Sequence, residues 1–165
     1  MFEIIKLFLN ICLFKKGPQD IPFSLWFLQM LVVVNVCVSF LMVSIHTNWF
    51  PSLLQAIVSA VLIFSFSWFM LYLARKRARF NQVTSAFLGT DALISFFALP
   101  GMASMVFGNA AVLAFIVTIV LMIWHWTVIG YIIRNALGQT WTFSLGLAFL
   151  YLFGSYQVMV FLHLP

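Results

Sequence analysis

Two residues set the chemical question for this chain. Asp91 lies within the run from Phe80 to Leu99, and His125 lies within the run from Asn109 to Ile133. Both runs are long and apolar enough to cross a bilayer. A carboxylate at membrane depth costs about 3 kcal/mol or more, so it needs a partner or a function. An Asp–His couple can exchange a proton near neutral pH, and it can equally serve as a polar contact that fixes helix register.

The elements that must position this pair follow from composition. The chain has 165 residues, of which 65% are hydrophobic and 7% charged, and its mean hydropathy is +1.15. A soluble domain carries about a quarter charged residues, so the solvent for most of this chain must be lipid. The expected fold is all-α: a polytopic transmembrane helix bundle of about five spans with an N-terminal interfacial helix. Residues 1–165 form a single membrane domain. The spans are expected at about 22–45, 51–74, 80–99, 109–133 and 140–164, the third stopped by Pro100-Gly101. Residues 1–16 carry an apolar stripe of Phe2, Ile5, Phe8, Leu9, Cys12 and Leu13, and are expected to lie flat in the headgroup layer. Cys12 and Cys37 read as small buried hydrophobes.

Topology follows from the basic residues. With five spans and a cytoplasmic N-terminus, Lys6, Lys15, Lys16, Arg75, Lys76, Arg77, Arg79 and Arg134 all fall on one side, as the positive-inside rule requires. Lys15, Lys16, Arg75, Lys76, Arg77, Arg79 and Arg134 then read as anchors on lipid headgroups. The C-terminus is expected outside, in the periplasm of a bacterium with this protein in its inner membrane. Net charge of +5 is no sign of nucleic acid, because the basic residues flank apolar runs. Four spans, with a re-entrant third segment, would strand Arg134 on the wrong side.

Depth selects a partner for Asp91. It sits 11 residues past Phe80, about 16 Å in from the basic side, while His125 sits nine residues short of Arg134, about 14 Å from the same side. Asp91 shares a helical stripe with Thr84, Leu88, Ser95 and Ala98. His125 shares one with Ala110, Ala114, Thr118 and Leu121. Such small and hydroxyl faces are what helix contacts in membranes use. The expected intramembrane polar pair is Asp91 and His125, with Asn35, Ser39, Thr84, Ser95 and Thr118 as additional polar contacts.

No catalytic residue is expected, since the chain lacks metal-protease, phosphate-loop, Cys-x-x-Cys and paired-carboxylate signatures. His46 and His163 fall at the outer membrane surface, one turn above Met42 and Met159. They define a copper or haem reading, although the ligand spacing that would support it is missing. No cofactor is expected.

Several segments carry a likeness: Lys16-Gly17-Pro18-Gln19-Asp20-Ile21-Pro22, Arg79-Phe80, Leu88-Gly89-Thr90-Asp91-Ala92-Leu93, Ala98-Leu99-Pro100, and Trp126 with Ile133-Arg134-Asn135-Ala136-Leu137. Across nearly the whole chain they resemble uncharacterised small multi-spanning inner-membrane proteins of proteobacteria. That group is remotely similar to the five-span Yip-type proteins, which act in vesicle trafficking through protein partners. The resemblance implies a membrane-embedded interaction protein and transfers no catalytic residue. The expected function is therefore non-enzymatic: an accessory or scaffold subunit of a membrane assembly, or a self-associating membrane protein. A small proton-coupled channel or carrier using Asp91 and His125 is the alternative, and a haem- or copper-bearing redox subunit is the third.

Overall fold

The computed structural model describes residues 2–45, 47–106 and 111–162. Its helices are α1 (Phe2–Cys12), α2 (Leu25–Ser44), α3 (Trp49–Leu73), α4 (Phe80–Val106), α5 (Ala111–Leu137) and α6 (Trp141–Leu162), with single 3-10 turns at Pro18–Asp20 and Arg77–Arg79. Five of them, α2 to α6, are long and apolar enough to cross a membrane, and together they mark a multi-pass membrane protein.

Local chemistry sets the ends. Ser24 begins α2, its hydroxyl accepting from the Phe27 amide, and Pro51 lies in the first turn of α3, where its missing N–H is harmless. Phe14 and Arg75 adopt left-handed backbone, with φ of 60° and 55°. Each closes the preceding helix by the paired bonds of a Schellman turn: Lys15 N to Asn10 O after α1, and Lys76 N to Leu71 O after α3. Helix α1 thus stops at Cys12 instead of continuing to residue 16. Gly138, with φ of 70°, ends α5.

Pro100 does not stop the third span. Helix α4 passes through it to Val106, and Ser104 donates back to the Pro100 carbonyl at 2.8 Å. The bond lost at Pro100 is the one an N–H there would make to the Phe96 carbonyl, which Ser104 does not replace; a membrane helix tolerates the loss through local adjustment.

Helix α4 is the centre of the bundle. It packs on α2 and α5, and also touches α3 and α1. Residues Val83 through Thr90 are buried without a break, which a helix shows only when it is covered all round. Helix α6 lies at the periphery, packed mainly on α5.

The apolar stripe of α1 meets the bundle, not only lipid. Phe8, Ile11 and Cys12 are buried, and the Phe8 ring stacks on Phe27 with centroids 6.3 Å apart. Phe8 also fills the space beside Gly89, where a Cβ would come within 2.2 Å of the ring. The expectation of a helix lying free on the headgroups missed this: an amphipathic stripe has the same pattern whether lipid or protein covers it. Burial pushes the Cys12 thiol up to about 12, so it stays protonated and inert. Cys37, by contrast, is exposed.

Gly89→Ala should destabilise the protein by about 1–3 kcal/mol by forcing Phe8 out of its place. Thermal unfolding in mild detergent reads the loss. In a Phe8→Ala background the same change should cost much less, and equal costs in both backgrounds would contradict the contact.

Candidate functional site

Asp91 of α4 stands between two helices. Asn35 of α2 donates through Nδ2 to Asp91 Oδ2 at 2.8 Å, and His125 Nε2 of α5 lies 3.3 Å from Asp91 Oδ1. Each carboxylate oxygen therefore has its own partner. The Asn35 amide also donates to the Leu88 carbonyl at 3.3 Å. That carbonyl can only accept, which fixes the amide with its nitrogen toward α4.

Helix geometry explains why these three meet. Leu88 and Asp91 are separated by three residues and share one face of α4, so a single buried amide reaches both. Asn35 is itself fully buried. Its own acceptor, Oδ1, has no partner among the described residues. The cluster is not sealed, for 19% of the Asp91 side chain and 23% of the His125 side chain remain exposed.

Of the other polar residues, Thr84 is buried but its hydroxyl has no partner among the described residues, and Ser39 and Ser95 are half-buried outside the cluster. Thr118 faces α4 further along, its Oγ1 3.8 Å from where a Cβ on Gly101 would sit. His46 and His163 lie outside the described residues.

Tyr151 of α6 was not among the expected residues. Its ring lies near Phe87 of α4, with centroids 6.4 Å apart. Its ring packs on Phe66, with centroids 4.5 Å apart. The signal was available: Tyr151 is ten residues past Trp141, about 15 Å from the basic side. That matches the depth of Asp91 and His125.

Several basic residues do more than face headgroups. Lys76 Nζ donates to the Leu137 carbonyl at 2.7 Å and lies 3.5 Å from the Ala136 carbonyl, capping α5. Arg77 stacks over Tyr72 at 4.0 Å, and Arg134 over Trp141 at 5.0 Å. Lys15, Lys16, Arg75 and Arg79 are exposed. The interior tryptophans are tied to backbone: Trp124 Nε1 donates to Cys12 O and Trp126 Nε1 to Leu145 O, both at 3.0 Å. Among the described residues no three His, Cys, Asp or Glu side chains converge as a metal would need.

The arrangement can hold a negative charge at membrane depth, and it can pass a proton between carboxylate and imidazole. Comparison with known protein families, curated proteins and solved structures finds no match to the chain.

Asn35→Ala should cost about 1–3 kcal/mol, because it leaves Asp91 Oδ2 without its donor. Measured by thermal unfolding, the penalty should shrink in an Asp91→Leu background. An undiminished penalty there would mean that Asn35 acts through packing alone.

Proposed function

We propose that this protein is a non-enzymatic accessory or scaffold subunit of a membrane assembly, and that α6 is the helix that meets the partner. The observation that carries this reading is how the glycines divide. Gly89 and Gly130 each admit a neighbouring side chain: Phe8 fills the space at one and Leu145 at the other. Gly146 and Gly154 on α6 have nothing within 4 Å of a Cβ position. A glycine inside a helix costs about 1 kcal/mol relative to alanine, and its use in a membrane helix is to let another backbone approach. Gly146 and Gly154 serve no such approach among the described residues, which favours one from outside the chain.

Two further features support the same reading. Helix α6 is the least buried span, with 11% of its most apolar window covered. The polar side chain of Gln157 is exposed on it, beside exposed Tyr156, and an amide in lipid gains from a partner donor or acceptor. The likeness to proteobacterial inner-membrane proteins and the one-sided basic residues favour an inner membrane, with the N-terminus cytoplasmic and the C-terminus periplasmic.

A Gly146→Leu, Gly154→Leu double variant should keep the wild-type melting temperature yet lose most of its co-purifying protein. A photo-crosslinker at Tyr156, used in native membranes, should give one discrete protein adduct in the wild type. A ladder of lipid adducts alone would remove the scaffold reading. An adduct at twice the chain mass would mark self-association.

The partial exposure of Asp91 and His125 favours a second reading, a small proton-coupled channel or carrier, because a purely structural pair gains nothing from an open edge. Proton flux into liposomes that falls to background in Asp91→Asn, with folding retained, would support it. Flux equal in the two proteins would dismiss it.

A further inference from the structure

An apolar groove of about 640 Å³ runs along the bundle surface between α3 and α6. Its α3 wall includes Phe66, Met70 and Leu73, and its α6 wall includes Phe143, Leu147 and Leu150. Lys76 and Gln139 stand at its basic end, and no acidic residue lines it. Its α6 wall reaches Tyr151, ten residues past the start of that helix at Trp141, so the groove extends about 15 Å from the basic side. That is half of the ~30 Å hydrocarbon core of a bilayer, the depth of one leaflet.

We infer that this groove holds the acyl chain of one anionic phospholipid from the leaflet at the basic side, with its phosphate on Lys76. The site differs from a general attraction of basic residues to the membrane surface, because Lys76 is fixed. Two of its three ammonium hydrogens can point at the Leu137 and Ala136 carbonyls, which leaves a third for a phosphate oxygen. A cation already held in place loses less freedom on binding than an extended lysine on a loop. Arg75, next in the chain and exposed, adds positive charge at the same end.

The occupant is an acyl chain. The groove's walls are mainly apolar, with Lys76 and Gln139 at the basic end, the pattern that a headgroup with its chain matches. The charge at the mouth selects the headgroup. A single cation without an acid beside it favours an anionic phosphate diester over a zwitterionic one, which would place its ammonium against Lys76.

The test uses the full chain, purified in mild detergent and stripped of lipid. Phosphatidylglycerol and phosphatidylcholine with the same acyl chains are added in mixed micelles, and bound lipid is counted by native mass spectrometry. Wild type should retain phosphatidylglycerol over phosphatidylcholine by about fivefold, what one lysine near a headgroup contributes. Lys76→Gln should bring the ratio near one. Leu147→Trp, which fills the groove and leaves Lys76 untouched, should reduce the binding of both lipids. No preference in wild type would overturn the proposal. So would a preference that survives Leu147→Trp, because the lipid would then sit elsewhere. Equal retention of glycerol 3-phosphate would also overturn it, since the site would then read phosphate without the chain.

Discussion

The placement of one carboxylate at mid-membrane governs the arrangement of the helices. Asp91 is expensive in hydrocarbon, so the helix that carries it must be surrounded, and α4 is the helix with neighbours on every side. Donors arrive from opposite flanks, an amide from α2 and an imidazole from α5. Gly89, nearly opposite Asp91 on the helical wheel, is closed by Phe8 of α1. The polar side and the glycine side of α4 thus recruit different elements. Together they account for the unbroken burial from Val83 to Thr90.

Packing is uneven along the membrane normal for a related reason. The half of α5 after His125 is largely buried, with Val128, Ile129, Ile132 and Ile133 nearly inaccessible. Before it, Phe115, Ile116, Val120 and Met122 are exposed. Helix α6 follows the same gradient. It is tied down near the basic side by Trp126 on the Leu145 carbonyl, by Leu145 against Gly130, and by Trp141 beside Tyr131. Beyond that, Phe149, Phe153 and Tyr156 face outward. Helix α1 contributes to the asymmetry, since it adds a layer at one depth only.

Much of this was legible in the sequence, and the reason is geometric. Span length, helical rise and basic residues give depth, and depth with helical phase brings Asp91, Asn35 and His125 together. What was not legible depends on contacts that periodicity does not encode. Lys76 read as a headgroup anchor, and nothing local reveals that it also caps the end of α5. Pro100 read as a stop, although a membrane helix tolerates proline where its neighbours or hydroxyls compensate. Tyr151 read as one aromatic among many, although its depth matched. Thr84 shared the stripe of Asp91 but its hydroxyl has no partner among the described residues, because a shared stripe sets direction and not reach.

The balance between a register contact and a working site turns on which polar atoms are satisfied. A contact retained only to fix register is most stable when every buried polar atom is paired, since an orphan costs about 1–3 kcal/mol. Here both Asp91 oxygens and both Asn35 donors are used, while the Asn35 acceptor is left over. Tyr151 adds a packed surround: its ring lies on Phe66 and near Phe87. The polar centre ties α2 and α5 to α4 without being fully satisfied or sealed. It leaves one acceptor, Asn35 Oδ1, open among the described residues.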